Sequence, residues 1–217
     1  ATENDGTVNI TGGITRTEEG RGNFLIGWNH FDKGTVNIQS TVEKQNITVG
    51  YYNNANLQNT LNVTHEDALI DDSSITVNAG QILNANASKI TNSTYTNNGT
   101  LNFTSGTNAN DIIQTTKGNV QISGDVSNSA DIYQANLQVN DGCTFTNTNT
   151  GSISLSGNGT DEGNLFGAGS ILNNGFIAAH NGLNTDNAPT ISGTGNLEVF
   201  DQFYVGTGKT IEQTNIN

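Results

Sequence analysis

Residues 99–104 read Gly-Thr-Leu-Asn-Phe-Thr, a glycine followed by regularly alternating polar and apolar residues. Residues 6–11 (GTVNIT) and 34–39 (GTVNIQ) repeat this pattern almost letter for letter. Alternation with period two over four or five residues is typical of a short strand that is buried on one face. Glycine supports the turn that precedes such a strand, since it adopts positive φ without steric cost. The repeated unit predicts a chain of many short strands separated by turns.

Similar units recur along the whole chain, and several of them also begin with glycine. They start near residues 60, 118, 151 and 195, with spacings of roughly 14 to 28 residues, which overlap the coil length of a solenoid. No long stretch shows helical spacing of its apolar residues. The sequence therefore predicts a single all-β domain over residues 1–217.

Two all-β architectures fit these strands. Apolar residues make up only 32% of the chain and aromatic residues 6%, which suits the thin core of a parallel β-helix (β-solenoid), where Asn side chains can stack in hydrogen-bonded ladders. An antiparallel β-sandwich or jelly roll also contains many short strands, but we expect more aromatic residues in it. We predict the parallel β-helix, with the sandwich as the second choice.

Composition excludes several classes of function. The chain has 20 acidic and 7 basic residues, for a net charge of −13, which argues against nucleic-acid binding. No apolar run is long enough for a transmembrane helix, so we expect no membrane insertion. Residue 1 is Ala, as the removal of a secretory signal would leave it. Abundant Asn, Thr and Gly in an acidic chain are typical of a secreted, cell-surface protein.

Two segments carry a family resemblance. Residues 74–107 (SITVNAGQILNANASKITNSTYTNNGTLNFTSGT) and 151–179 (GSISLSGNGTDEGNLFGAGSILNNGFIAA) resemble passenger segments of bacterial autotransporters and filamentous-haemagglutinin-type adhesins. The resemblance covers roughly half of the chain and is one of composition. It implies coils of a parallel β-helix at the cell surface and an adhesive or structural role, with host or neighbouring cell-surface glycans or proteins as partners.

The first 52 residues concentrate aromatic side chains, including the single Trp. Such a cluster predicts either a cap over the first coil or a contact with another subunit, because aromatic residues are enriched at interfaces. Both ends of the chain also look like strands, which would allow head-to-tail pairing of copies into a filament. The predicted interface residues are Phe24, Leu25, Ile26, Trp28, Phe31, Val8, Ile10, Ile211 and Ile216.

Enzymatic chemistry finds little support in the sequence. His30, His65 and His180 share no motif, and no pair of carboxylates stands near basic residues as a glycosidase or lyase would require. We expect no catalytic residues and no cofactor. A carbohydrate-binding or carbohydrate-active β-helix and an ice-binding solenoid remain the alternatives, although Thr-x-Thr pairs such as 94/96 and 144/146 do not recur at one period.

Calcium is the one cation worth considering, because oxygen-rich loops suit a hard cation. The weak candidates are Asp71, Asp72, Asp161 and Glu162. None of them lies in an EF-hand loop or a Gly-Gly-x-Gly-x-Asp repeat. Solvated acidic turns are the preferred explanation of the same residues.

Overall fold

The computed structural model describes residues 4–16, 20–27, 32–52, 57–113, 118–157, 165–207 and 210–217. It is a β-solenoid of about 8 turns, and no α-helix occurs in the described part of the chain. The strands of the first half are β1 (Asn4–Ile10), β2 (Ile14–Thr15), β3 (Gly22–Ile26), β4 (Asp32–Ile38), β5 (Thr41–Glu43), β6 (Gln45–Val49), β7 (Thr60–Val63), β8 (Leu69–Asp71), β9 (Ser74–Val77), β10 (Ile82–Asn86), β11 (Ile90–Thr91), β12 (Thr94–Asn97) and β13 (Thr100–Asn108).

The strands of the second half are β14 (Ile112–Ile113), β15 (Asn119–Ile122), β16 (Val126–Asn128), β17 (Asp131–Gln134), β18 (Asn136–Val139), β19 (Thr144–Asn147), β20 (Ser152–Leu155), β21 (Leu165–Phe166), β22 (Ser170–Asn173), β23 (Phe176–Ala179), β24 (Leu183–Asn184), β25 (Thr190–Val199), β26 (Phe203–Tyr204) and β27 (Glu212–Ile216). One 3₁₀ turn, Ala87–Lys89, separates β10 from β11.

Each coil passes through three faces, and every strand pairing between coils is parallel. The first face stacks β1, β4, β7, β10, β13, β15, β18 and β21 in that order. The second face begins with β2, β5, β8 and β11 and continues from the end of β13 through β16, β19, β22 and β25. The third face runs from β3 to the ends of β25 and β27. Parallel pairing throughout confirms the β-helix and excludes the antiparallel sandwich.

The alternation read from the sequence decides which side chains enter the core. In β7, Leu61 and Val63 are buried while Thr60 and Asn62 are half-buried on the outside. Register places Leu61 over Val36 and under Leu83, so apolar side chains of successive coils form continuous columns. A column repeats at the strand spacing of about 4.8 Å, which brings methyl groups into van der Waals contact from coil to coil. Because each apolar side chain packs against those of the coils above and below, a thin core with few apolar residues per coil is sufficient.

Left-handed residues form a column of their own where the second face meets the third. Lys44, Asp72 and Asn92 have φ of 56°, 45° and 48°, and they follow β5, β8 and β11 in consecutive coils. The N–H of Lys44 donates to the carbonyl of Asp71, and that of Asp72 to the carbonyl of Thr91. The bend is therefore stabilised by hydrogen bonds to the next coil, which offset the cost of positive φ at non-glycine residues.

Candidate functional site

The first and last coils expose strand edges. Among the described strands, β1 pairs only with β4, and β27 pairs only with β25. Val8 occupies an inward-facing position but is 52% exposed, because none of the described strands lies on its other side. Ile216, at the end of β27, is 40% exposed for the same reason. Unpaired edge strands are templates for pairing with another strand.

An apolar patch lies beside this last edge. Phe200, Phe203, Tyr204 and Val205 are all exposed, with Tyr204 at 54%. Phe203 pairs with the buried Leu183, so it stands in line with a core residue rather than on the outer face. Sequence reasoning placed the aromatic cluster at the other end of the chain and missed this group, although the run 200–205 (FDQFYV) carries an apolar signal of its own.

The predicted interface residues fall into three groups. Val8 and Ile216 are exposed at the two ends, whereas Ile10, Phe24 and Ile211 are half-buried and pack against the core. Leu25 is half-buried, and Ile26 is buried inside β3 and is not accessible to a partner. Trp28 and Phe31 lie outside the described residues.

An asparagine ladder runs along the outside of the first face. Asn37, Asn62, Asn84 and Asn102 each donate from Nδ2 to Oδ1 of the asparagine in the preceding coil, at 2.7, 2.7, 2.8 and 2.9 Å, and the last acceptor is Asn9. Coil lengths of 28, 25, 22 and 18 residues separate these partners. The faces therefore keep register while the connecting loops vary in length.

A second ladder is fully buried at the corner between the second and third faces. Asn108, Asn128 and Asn147 each donate to Oδ1 of the asparagine in the following coil at 2.8, 3.1 and 2.9 Å, ending at Asn173. The same amides also donate to corner carbonyls, for example from Asn128 to Ala130 at 2.8 Å. The buried side-chain amides of this ladder thus help to satisfy the hydrogen-bonding groups of the corner backbone.

The last coil modifies this ladder. Gly193 takes the position above Asn173, where a Cβ would lie 2.1 Å from the Asn173 carbonyl oxygen. Gln213, paired with Gly193, reaches past it and donates from Nε2 to the carbonyls of Gly195 and Asn173 at 2.6 and 3.3 Å. The Oε1 atom of Gln213 is buried and has no hydrogen-bond partner. The ladder thus ends on an unused acceptor in the last coil.

The two described calcium candidates are engaged in contacts between coils. Asp71 accepts hydrogen bonds from Thr91 Oγ1 (2.7 Å) and Asn92 Nδ2 (2.8 Å), and the Thr91 hydrogen bond, aided by that of Asn92, holds the pKa of Asp71 below its ordinary value. Asp72 forms an ion pair with Arg21 at 3.0 Å. No group of three potential metal ligands occurs within the described ranges. Asp161 and Glu162 lie outside those ranges.

The two histidines in the described part of the chain, His65 and His180, make separate contacts. His180 Nε2 lies 3.0 Å from Ser154 Oγ, and its ring stacks on Phe200 with centroids 4.8 Å apart. His65 Nδ1 lies 3.7 Å from the Asp67 carboxylate on a separate loop. The serine–histidine contact is exposed on the outer surface of the third face. His30 lies outside the described residues.

Comparison with known proteins leaves the fold as the main guide to function. The chain matches no protein-family model, and neither curated proteins nor solved structures gave a significant match. In the described part of the chain, no helix has the length and apolar character required to cross a bilayer.

Proposed function

We propose that this chain is a secreted structural protein of the cell surface that assembles head to tail into a filament or stalk. The observation that carries the proposal is the pair of open coil edges, at β1 and at β26–β27. Support from resemblance is limited to the β-solenoid, which is consistent with the β-helical surface adhesins whose composition the chain shares. Adhesion to glycans or proteins of neighbouring cells belongs to the same proposal.

The order of the faces defines how two copies would meet. After β27 the next strand of the solenoid belongs to the first face, so β1 of a second copy would stack on β26, and its β3 on the end of β27. Ile216 stacks on Leu197 at the last position of a column of side chains on the third face. This column runs back from coil to coil to Phe24 in the first coil. Val8 of the second copy would then cover Phe203, and its Phe24 would cover Ile216.

This contact reproduces the interior of the solenoid. Each coil would add parallel backbone hydrogen bonds and cover apolar side chains that both ends expose. A head-to-tail contact is heterologous, so it grows an open fibre rather than a closed dimer.

The proposal predicts that Val8→Lys and Phe203→Lys each abolish self-association, because a charge pointing inward at an edge strand blocks further pairing. The matched control is Leu172→Lys, since Leu172 is 38% exposed in an internal coil whose strand is paired on both sides. Sedimentation velocity at about 1–100 µM, where mass action governs association, measures the size distribution, and negative-stain microscopy shows the particles.

Mixing the two blocked variants gives a sharper test. Val8→Lys leaves the β26–β27 end intact, and Phe203→Lys leaves the β1 end intact, so an equimolar mixture should form a dimer and nothing larger. Circular dichroism and melting of each variant verify that it is folded. Monomers throughout in the wild-type chain, or fibres formed by both single variants, would refute head-to-tail assembly.

A further inference from the structure

The ladder of the first face is interrupted after β21. Leu165 and Phe166 still pair with Leu137 and Gln138 of β18, but the next strand of this face, β24, pairs with β26 among the described strands. Gly167 has φ of 110°, and its N–H donates to the carbonyl of Asn187 at 2.9 Å. The chain after β21 is therefore bonded to the loop beyond β24 instead of continuing the sheet.

A cleft of about 660 Å³ opens at this interruption. One wall is formed by residues 166–168 and the other by residues 186–190. Its volume lies within the range of roughly 300–1,000 Å³ that is usual for small-molecule sites. Phe166 is half-buried and Ala188 is buried, whereas Asp186, Asn187 and Thr190 are exposed. The lining thus combines an aromatic ring with a carboxylate, a carboxamide and a hydroxyl group.

Local contacts fix the position of Asp186 in this lining. Its backbone N–H donates to Asn184 Oδ1 at 3.0 Å, and the N–H groups of Asn187 and Ala188 donate to the carbonyl of Asn184. The carboxylate lies against Gly206, where a Cβ would stand 1.7 Å from Asp186 Oδ1. Gly206 therefore makes room for the carboxylate. No side-chain hydrogen bond or ion pair engages this carboxylate within the described residues, which leaves its lone pairs available to a ligand.

We propose that this cleft binds a neutral saccharide. The carboxylate and the net charge of −13 disfavour an anionic ligand, and the exposed polar groups disfavour a purely apolar one. Sugar hydroxyls can donate to the Asp186 carboxylate and exchange hydrogen bonds with Asn187 and Thr190. The apolar C–H face of a pyranose ring can pack on Phe166, since an aromatic ring offers a large flat apolar surface. The residues that line the cleft are not among those of the proposed end contact.

The test is a titration of the ¹⁵N-labelled full chain with cellotetraose, chitotetraose or maltotetraose at low ionic strength, where repulsion between acidic copies keeps the chain monomeric. At least one of these probes should cause saturable amide shifts that centre on Gly167, Ala168, Asn187 and Ala188. Asp186→Asn should weaken binding of that probe by about tenfold or more, because a hydrogen bond to a charged group is worth more than a neutral one. Phe166→Leu should also weaken it by about tenfold or more, because the flat aromatic surface under the sugar ring is lost.

Two further variants complete the design. Asp141→Asn, in an exposed turn of another coil, removes the same charge and should leave affinity unchanged. Gly206→Ala should weaken binding by displacing the Asp186 carboxylate while Asp186 itself remains. Absence of shifts with all three probes, equal affinity of the wild-type and Asp186→Asn chains, or binding of putrescine in place of any saccharide would overturn the proposal.

Discussion

Tyr95 shows what a single polar atom does in a core this thin. The ring is fully buried between Ile75 and Ile112 of the third face and meets Phe103 edge-on, with centroids 6.3 Å apart. Its hydroxyl is buried and has no hydrogen-bond partner. Burial raises the pKa of Tyr95 above its ordinary value. A neutral hydroxyl without a partner still costs free energy, because the unfolded chain can bind it to water.

We predict that Tyr95→Phe raises the free energy of unfolding by about 1 kcal/mol, since the ring packing remains and the desolvated hydroxyl disappears. The sign of the pH dependence follows from the raised pKa. Tyr95 ionises more readily in the unfolded chain, so its contribution is constant below about pH 10 and stability declines as pH rises beyond that value.

Urea denaturation at neutral pH and at about pH 10.5 measures both effects, and the alkaline loss should be smaller in Tyr95→Phe. Tyr133→Phe is the control, because Tyr133 is exposed two coils away and should change neither quantity. A Tyr95→Phe chain less stable than wild type would mean that the hydroxyl has a stabilising partner.

Asparagine ladders act at the scale of elements, since each amide joins two coils. Asn128 accepts from Asn108 and donates to Asn147 and to the carbonyl of Ala130, all in buried surroundings. Asn62 makes equivalent ladder bonds with Asn37 and Asn84 on the outer face. The number of ladder bonds is the same, but water can replace only those of Asn62.

We predict that Asn128→Ala lowers the free energy of unfolding by about 2–4 kcal/mol, because the substitution leaves buried polar groups without partners and opens a cavity. Asn62→Ala should cost less than about 1 kcal/mol. Denaturant unfolding measures the difference, and hydrogen exchange should show added exposure confined to the coils beside Asn128, because each coil contacts only its neighbours. Equal losses for the two variants would show that the ladders stabilise by stacking rather than by satisfying buried groups.

Sequence reasoning recovered the elements that carry a period. The alternating run at Thr100 begins β13, and the one at Ser152 begins β20. The second face escaped prediction in its early coils, because strands as short as Ile14–Thr15 and Ile90–Thr91 are too short to show alternation. The sequence predicted that asparagine ladders would occur. It could not show that Asn108 rather than Asn102 would be buried, because this depends on which asparagine lies at a corner of its coil.

The cleft could not be predicted from the sequence for a similar reason. Phe166 and Asp186 lie in different coils, and they line one cleft only because β24 does not continue the ladder of β21. Nothing in the local pattern at Leu183–Asn184 marks this break. The open end strands were partly accessible to prediction, since residues 4–10 contain an alternating run and residues 212–216 were expected to form a strand. The exposure of Phe203 depends on the whole stack.

At the scale of the whole molecule, net charge sets the conditions for assembly. Each copy carries −13, so head-to-tail contact brings two strongly acidic particles together, while the proposed contact itself consists of apolar side chains and backbone hydrogen bonds. Raising ionic strength from about 0.01 M to 0.15 M shortens the Debye length from about 30 Å to about 8 Å. Repulsion between copies weakens much more than the apolar contact does.

We therefore predict that this increase in salt shifts the wild-type chain from monomers toward longer assemblies at a fixed protein concentration. Sedimentation velocity at the two ionic strengths measures the shift, with Val8→Lys as the control that should remain monomeric in both. Association that weakens on adding salt would mean that ion pairs between copies hold the contact, which is incompatible with Val8 on Phe203 and Phe24 on Ile216 as its centre. The direction of the salt dependence thus separates an apolar end-to-end contact from an electrostatic one.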